Sequence, residues 1–243
     1  MRGRRVLGAV ALAALALSAI VLIATRTATP VAAATSTETV AAAADPQVLL
    51  GRYIVISHDC GGCHGGIGDD PAAKGWLAGE QSPIQQFLIG PCAVTPGAQP
   101  CFHTHPRNLT PDNETGLGRF TDRQIFNALR FGLRPEDTPD VAITSTTPGK
   151  GNFPLHPHFL APPMPWAAWR HMPDNELMAI AAYLKRGLKP VHNKVAESEG
   201  PPDFWADAYA HMPELHMGTN PTVAFPTVNE VGSPAAKVAT PQK

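Results

Sequence analysis

Residues 57–66 read SHDCGGCHGG, with two cysteines three positions apart and a histidine directly after the second. Three kinds of chemistry use such a cluster: thiol–disulfide exchange, half of a zinc site, and covalent attachment of a haem. A redox pair belongs at the start of a helix that follows a strand, where the helix dipole lowers the thiol pKa. Here the apolar pattern before Cys60 is helical, and the pair opens a glycine loop, with residues 61–110 expected to be mostly loop. A zinc site needs a companion pair of ligands. Cys92, Cys101, His103 and His105 could supply one, but long loops and helices of this kind are foreign to zinc knuckles. Haem attachment accounts for the order of the residues. Each sulfur adds to a vinyl group, and the histidine that follows meets the iron from one face. Cys60 and Cys63 are then thioether links and His64 the proximal ligand.

An iron held by His64 alone would be open to small molecules, whereas a second protein ligand closes it and favours electron transfer. Met164 is the best candidate. It lies in APPMPW, where prolines stiffen a non-helical segment. The competing role for any methionine is to fill core space. Met172 is the reserve, Met178 faces a helix core, and His156 and His158 keep bis-histidine ligation open.

The remaining composition places this chemistry outside the cytoplasm. After Met1-Arg2-Gly3-Arg4-Arg5, residues 6–24 carry no charge, which reads as an export signal or as an uncleaved membrane anchor. Removing residues 1–44 takes away four arginines and one glutamate, leaving 15 basic and 19 acidic side chains, a net charge of −4. No basic stripe suits nucleic acid. Cys92 and Cys101 are the other thiols of an exported chain and are expected to pair as a disulfide. The rival is a small metal site with His103 and His105.

The elements that must position these residues are helices joined by long loops, as 26 prolines and 21 glycines suggest. Residues 1–45 read as signal or anchor plus linker, 46–192 as the domain, and 193–243 as an irregular tail. In PQVLLGRYIVISHD the apolar spacing predicts a helix ending just before Cys60, with Val48, Leu49, Tyr53 and Ile56 on one side. A short helix is expected near residues 81–89. Thr121 followed by Gln124 is a capping-box pattern, and Ile125, Phe126, Leu129 and Leu133 recur at helical spacing until Gly132 and Pro135 stop the run. Residues 135–165 are proline-rich without periodicity and read as a long ordered loop. Residues 173–190 form the clearest helix, with Leu177, Ile180, Ala181 and Leu184 along one face. Phe204, Trp205 and Tyr209 suggest a tail wrapped over the domain.

Three stretches, GRYIVISHDCGGCH, NLTPDNETGLGRFTDRQIFNALRFGLR and PPMPWAAWRHMPDNELMAIAAYLK, together resemble the monohaem class I cytochromes c, especially the cytochrome domains that accompany periplasmic dehydrogenases. The resemblance implies an all-α fold around one covalent haem c, with the N- and C-terminal helices packed together. It implies Met164 as the distal ligand and places Asn108 and Thr110 beside the haem, where they could bond a propionate; ordinary turn chemistry is the alternative for both. Residues 91–106 and 137–160 look like insertions, and Pro173 replaces the usual Ser or Thr cap. Trp166 and Trp169 are expected to pack on the haem edge or the last helix. The function implied is single-electron transfer between redox partner proteins, free or within a membrane-bound complex, without a small-molecule substrate. A haem enzyme with an open, peroxidase-like iron is the alternative.

Overall fold

The computed structural model describes residues 45–66 and 70–210. The expected signal or anchor at 6–24 lies outside these residues; among them no helix is long and apolar enough to cross a membrane. Helix α1 spans Pro46–Ser57, and its start is built from two local devices. Asp45 accepts a hydrogen bond from the Gln47 amide at 2.9 Å, and Pro46 occupies the first turn, where no amide is needed. After α1 the chain turns at Asp59 into a short helix, α2 (Cys60–His64). Helix α3 spans Asp122–Phe131, α4 spans Trp166–Trp169, α5 spans Asp174–Ala182, and α6 spans Ala206–Ala210.

The buried face of α1 is Val48, Gly51, Ile54 and Val55, while Leu49 and Tyr53 are 51% and 68% exposed. The expected face was therefore rotated. The cause is Gly51: a Cβ there would lie 1.8 Å from the Ala179 carbonyl oxygen, so the bare glycine is where α1 meets α5. The predicted face of α5 is buried throughout, with Leu177 and Ala181 at 0% exposure. Helix α5 ends in a wider π turn at Tyr183–Gly187, and Lys185 there donates to the carbonyls of Leu117, Gly118 and Phe120 at 2.7–3.2 Å. That one ammonium fixes the turn before α3 onto the end of α5.

Helix α3 carries the full capping box: the Gln124 amide donates to Thr121 Oγ1, and Thr121 N–H donates to the Gln124 side chain, both at 3.1 Å. It ends at Gly132, whose φ of 67° is left-handed. Pro173 heads α5 with no side-chain cap; Asp174 and Glu176 lie in its first turn, and Arg130 from α3 reaches Asp174 at 2.5 Å.

Two elements differ from expectation. Residues 81–89 hold a single 3₁₀ turn at Pro83–Gln85 and then strand β1 (Phe87–Ile89), which pairs antiparallel with β2 (Phe102–Thr104), Leu88 opposite His103. The architecture is thus helical with a small two-stranded sheet, where an all-α fold was expected. The sheet is stabilised from outside: Cys92 and Cys101 form a disulfide across its loop, and β2 bonds through His103 to Glu199 of the following segment. Residues 137–160 fold onto a second small core of Phe131, Leu133, Ile143 and Phe153. Trp205 is buried against Phe102, and the half-buried Tyr209 packs on Trp166.

Candidate haem site

Between α1, α3 and α5 the helices leave an apolar cavity of about 360 Å³, within the range of cofactor pockets. Cys60, Cys63, His64 and Met164 all line it, from two segments a hundred residues apart in the chain. Ile54, Leu129, Ile180 and Leu184 supply apolar wall.

Helix α2 is positioned from both ends. Asp59 sits in the left-handed region at φ 52°, which Asp tolerates better than most residues, and its carboxylate accepts from the Gly62 amide at 3.0 Å. A Cβ on Gly61 would lie 2.2 Å from the Trp76 ring, so the glycine lets that indole cover α2. Trp76 is itself fixed by an indole N–H donated to the Tyr183 hydroxyl at 3.1 Å. The two glycines between the cysteines therefore serve packing and capping, and they form helix where a loop was expected to open.

His64 Nδ1 lies 2.7 Å from the Arg107 carbonyl oxygen, so Nδ1–H donates and Nε2 keeps its lone pair. Burial lowers the His64 pKa, outweighing the opposite effect of that carbonyl, so the ring is neutral at neutral pH. This is the form a metal ligand needs. Burial first, and then the Asp59 carboxylate, push the Cys63 thiol up. A redox-active pair requires the reverse, a stabilised thiolate. The zinc reading fails as well, because Cys92 and Cys101 are joined to each other. Among the described residues no three His, Cys, Asp or Glu side chains converge on a possible metal position.

Met172 and Met178 pack on the core and do not line the cavity; His156 and His158 do not line it either, and His158 faces Asp203 at 3.0 Å. Trp169 lines the cavity, whereas Trp166 is buried beside Phe159 and Tyr209. Asn108 and Thr110 are each 1% exposed and lie outside the cavity wall. Asn108 Nδ2 donates to Thr115 Oγ1 at 3.0 Å and to the Val191 carbonyl at 2.7 Å, while its oxygen accepts from the amide and hydroxyl of Thr110. The pair ties residue 191 to the 108–115 turn.

Sequence reasoning gave no site role to His58 or His105 as wall residues, yet both line the cavity. His105 is 8% exposed and faces Glu80 at 2.5 Å through Nδ1. No sequence signal joins His105 to Glu80: they are 25 residues apart in segments without periodicity.

The donor set fits a covalently held haem: two thiols and an imidazole with its second nitrogen engaged on one side, a thioether on the same cavity, and apolar walls between.

No family model matches the chain. Among curated proteins it is similar to the fructose dehydrogenase cytochrome subunit of Gluconobacter japonicus, 26% identical over 151 residues, 62% of this chain and 23% of the relative. The gluconate 2-dehydrogenase cytochrome c subunit of Pantoea cypripedii is 27% identical over 66% of this chain and 29% of its own length. The cytochrome c subunit of the quinone alcohol dehydrogenase of Gluconobacter oxydans (strain 621H) is 23% identical over 76% and 32%. The chain thus spans between about a quarter and a third of the length of these relatives. At low identity, and over most of its own length, it resembles the cytochrome c subunits of dehydrogenases.

Proposed function

We propose that this chain is an exported monohaem c-type cytochrome that passes single electrons from a dehydrogenase to a respiratory acceptor, as a subunit of a larger complex or as a free carrier. The observation that carries the reading is the convergence of Cys60, Cys63, His64 and Met164 on one apolar cavity. Bound there, haem c would supply one-electron redox chemistry at its iron. Cys60 and Cys63 would hold it covalently, His64 would offer Nε2, oriented by Arg107, and Met164 would offer its thioether. Apolar helix walls flank the ligand set, and no residue is asked to bind or transform a substrate. The Cys92–Cys101 disulfide supports export, since such bonds persist in oxidising compartments. The dehydrogenase subunits among the relatives support a redox partner protein.

The test is a haem-stained denaturing gel of the exported protein. Colour should stay with the chain and be lost in the Cys60→Ala/Cys63→Ala double variant; colour that extracts from wild type into acid–acetone overturns covalent attachment.

A further inference from the structure

The apolar cavity shares part of its wall with a second one of about 810 Å³, and the polar residues common to both are Thr104, His105 and Arg107. A haem carries two carboxylates on an otherwise apolar macrocycle, and polar residues standing where apolar wall gives way to polar wall are the groups that would hold them. Asn108 Nδ2 has both protons committed to Thr115 and Val191, and the Thr110 hydroxyl donates within the same buried network. Arg107 is held by the following segment, donating to the Ala196 carbonyl at 2.9 Å and pairing with Glu197.

His105 differs. Its backbone amide donates to Ser198 Oγ at 3.1 Å and Nδ1 meets Glu80, while Nε2 makes no hydrogen bond among the described residues. Burial would raise the Glu80 carboxyl, but hydrogen bonds from Gln86 and His105 and the charges of His105 and His103 hold it below the usual range. Glu80 is therefore an anion that accepts from Nδ1–H. Bonding a second carboxylate then requires a proton on Nε2 as well.

We propose that His105, backed by Glu80, is the anchor for a haem carboxylate and the proton-binding group coupled to the oxidation state of the iron. The inference rests on the haem reading above. With haem bound, an electron received from the donor protein would make the site more negative by one charge, and His105 would take up a fraction of a proton from solvent at Nε2; passing the electron on to an acceptor would release that proton. The other charges around it do not replace this role. His103 lies beside it, rings 4.4 Å apart, with its Nε2 bonded to Gln86. On the second cavity Arg107 and Arg119 are paired with Glu197 and Glu136, and Arg134 with Asp203. Lys194, Glu114 and Asp137 complete its charged lining.

The experiment is spectroelectrochemistry of the intact exported holoprotein from pH 5 to 9, with wild type, His105→Gln and Glu80→Gln compared. Covalent colour and the reduced optical spectrum are recorded first; their absence from wild type overturns the haem reading itself. Given a haem protein, the wild-type midpoint potential should fall as pH rises through one transition, because loss of a positive charge disfavours reduction. Glu80→Gln should move that transition to lower pH, and His105→Gln should abolish it while keeping the haem spectrum. A flat wild-type profile, or a transition that survives in His105→Gln, overturns the proposal. Should His105→Gln fail to bind haem, His105→Asn and the Glu80→Gln shift decide: a shifted transition supports the proposal and an unshifted one overturns it.

Discussion

Met164 is partly buried, packs on the main core and lies between two exposed prolines, Pro163 and Pro165, whose rings limit the backbone that presents it. On the proposed role as distal ligand, its removal should be felt at the iron before it is felt in the fold. Met164→Ala is expected to let the reduced protein bind carbon monoxide and to lower its potential, while Met172→Ala should do neither. A carbon monoxide difference spectrum checks this, and the opposite result would make Met172 the ligand. The residues of this site were unequally legible in the sequence. Cys60, Cys63 and His64 could be read because one haem-attachment pattern fixes them within five positions. The pairing of His105 with Glu80 could not, because it depends on how two aperiodic loops fold against each other. Asn108 and Thr110 were visible as turn residues, but only the structure shows that their polar atoms bond to Thr115, to each other and to Val191.

At the scale of elements, a capping box with apolar spacing was sufficient for α3, and apolar spacing with acids in the first turn for α5, whose signals are local. The face of α1 was misjudged because the determinant is an absence: Gly51 has no side chain to score, yet the α1–α5 contact is built on it. Gly51→Val should therefore destabilise the protein by about 1–3 kcal/mol through overpacking, whereas Leu49→Ala, at an exposed position, should cost about 0.5 kcal/mol or less. Urea titration followed by circular dichroism separates the two; equal costs would refute the packing argument. Strands β1 and β2 were missed for a related reason. Three residues each carry little periodicity, and the pair depends on the Cys92–Cys101 crosslink and on Glu199. Closing that loop stabilises by about 2.5–3 kcal/mol in the chain-entropy model, so Cys92→Ser/Cys101→Ser should lower stability by up to that amount. Hydrogen exchange should accelerate in residues 87–104 more than in α1 or α5, and uniform acceleration would count against a local role.

For the whole molecule, two groups, His64 on the cavity wall and Glu80 behind the wall residue His105, give folding stability the same dependence on pH. His64 has its pKa lowered by burial from an ordinary 6.5, so the folded chain binds its proton less readily than the unfolded chain. Its contribution is present above about pH 6.5 and is lost as pH falls toward the lowered folded value. Iron on Nε2 would exclude that proton altogether and enlarge the loss. Glu80 opposes its own burial through hydrogen bonds from Gln86 and His105 and ends below its ordinary 4.5. Its contribution is likewise present above that value and is lost as pH falls through the folded one. The signs agree, so acid should weaken the fold in two stages, the first below about pH 6.5 and the second below about pH 4.5. Neither stage was visible in a chain whose formal charge is only −1, because both arise from particular buried partners and not from net charge. Glu80→Gln keeps the shape of the side chain but removes its titration. Urea midpoints measured at pH 7, 5.5, 4 and 3 should therefore fall through the first stage in both proteins and through the second more steeply in wild type. Parallel curves down to pH 3 would mean that Glu80 is equally acidic in the folded and unfolded chains, and that its bonds to Gln86 and His105 do not hold the carboxylate in solution.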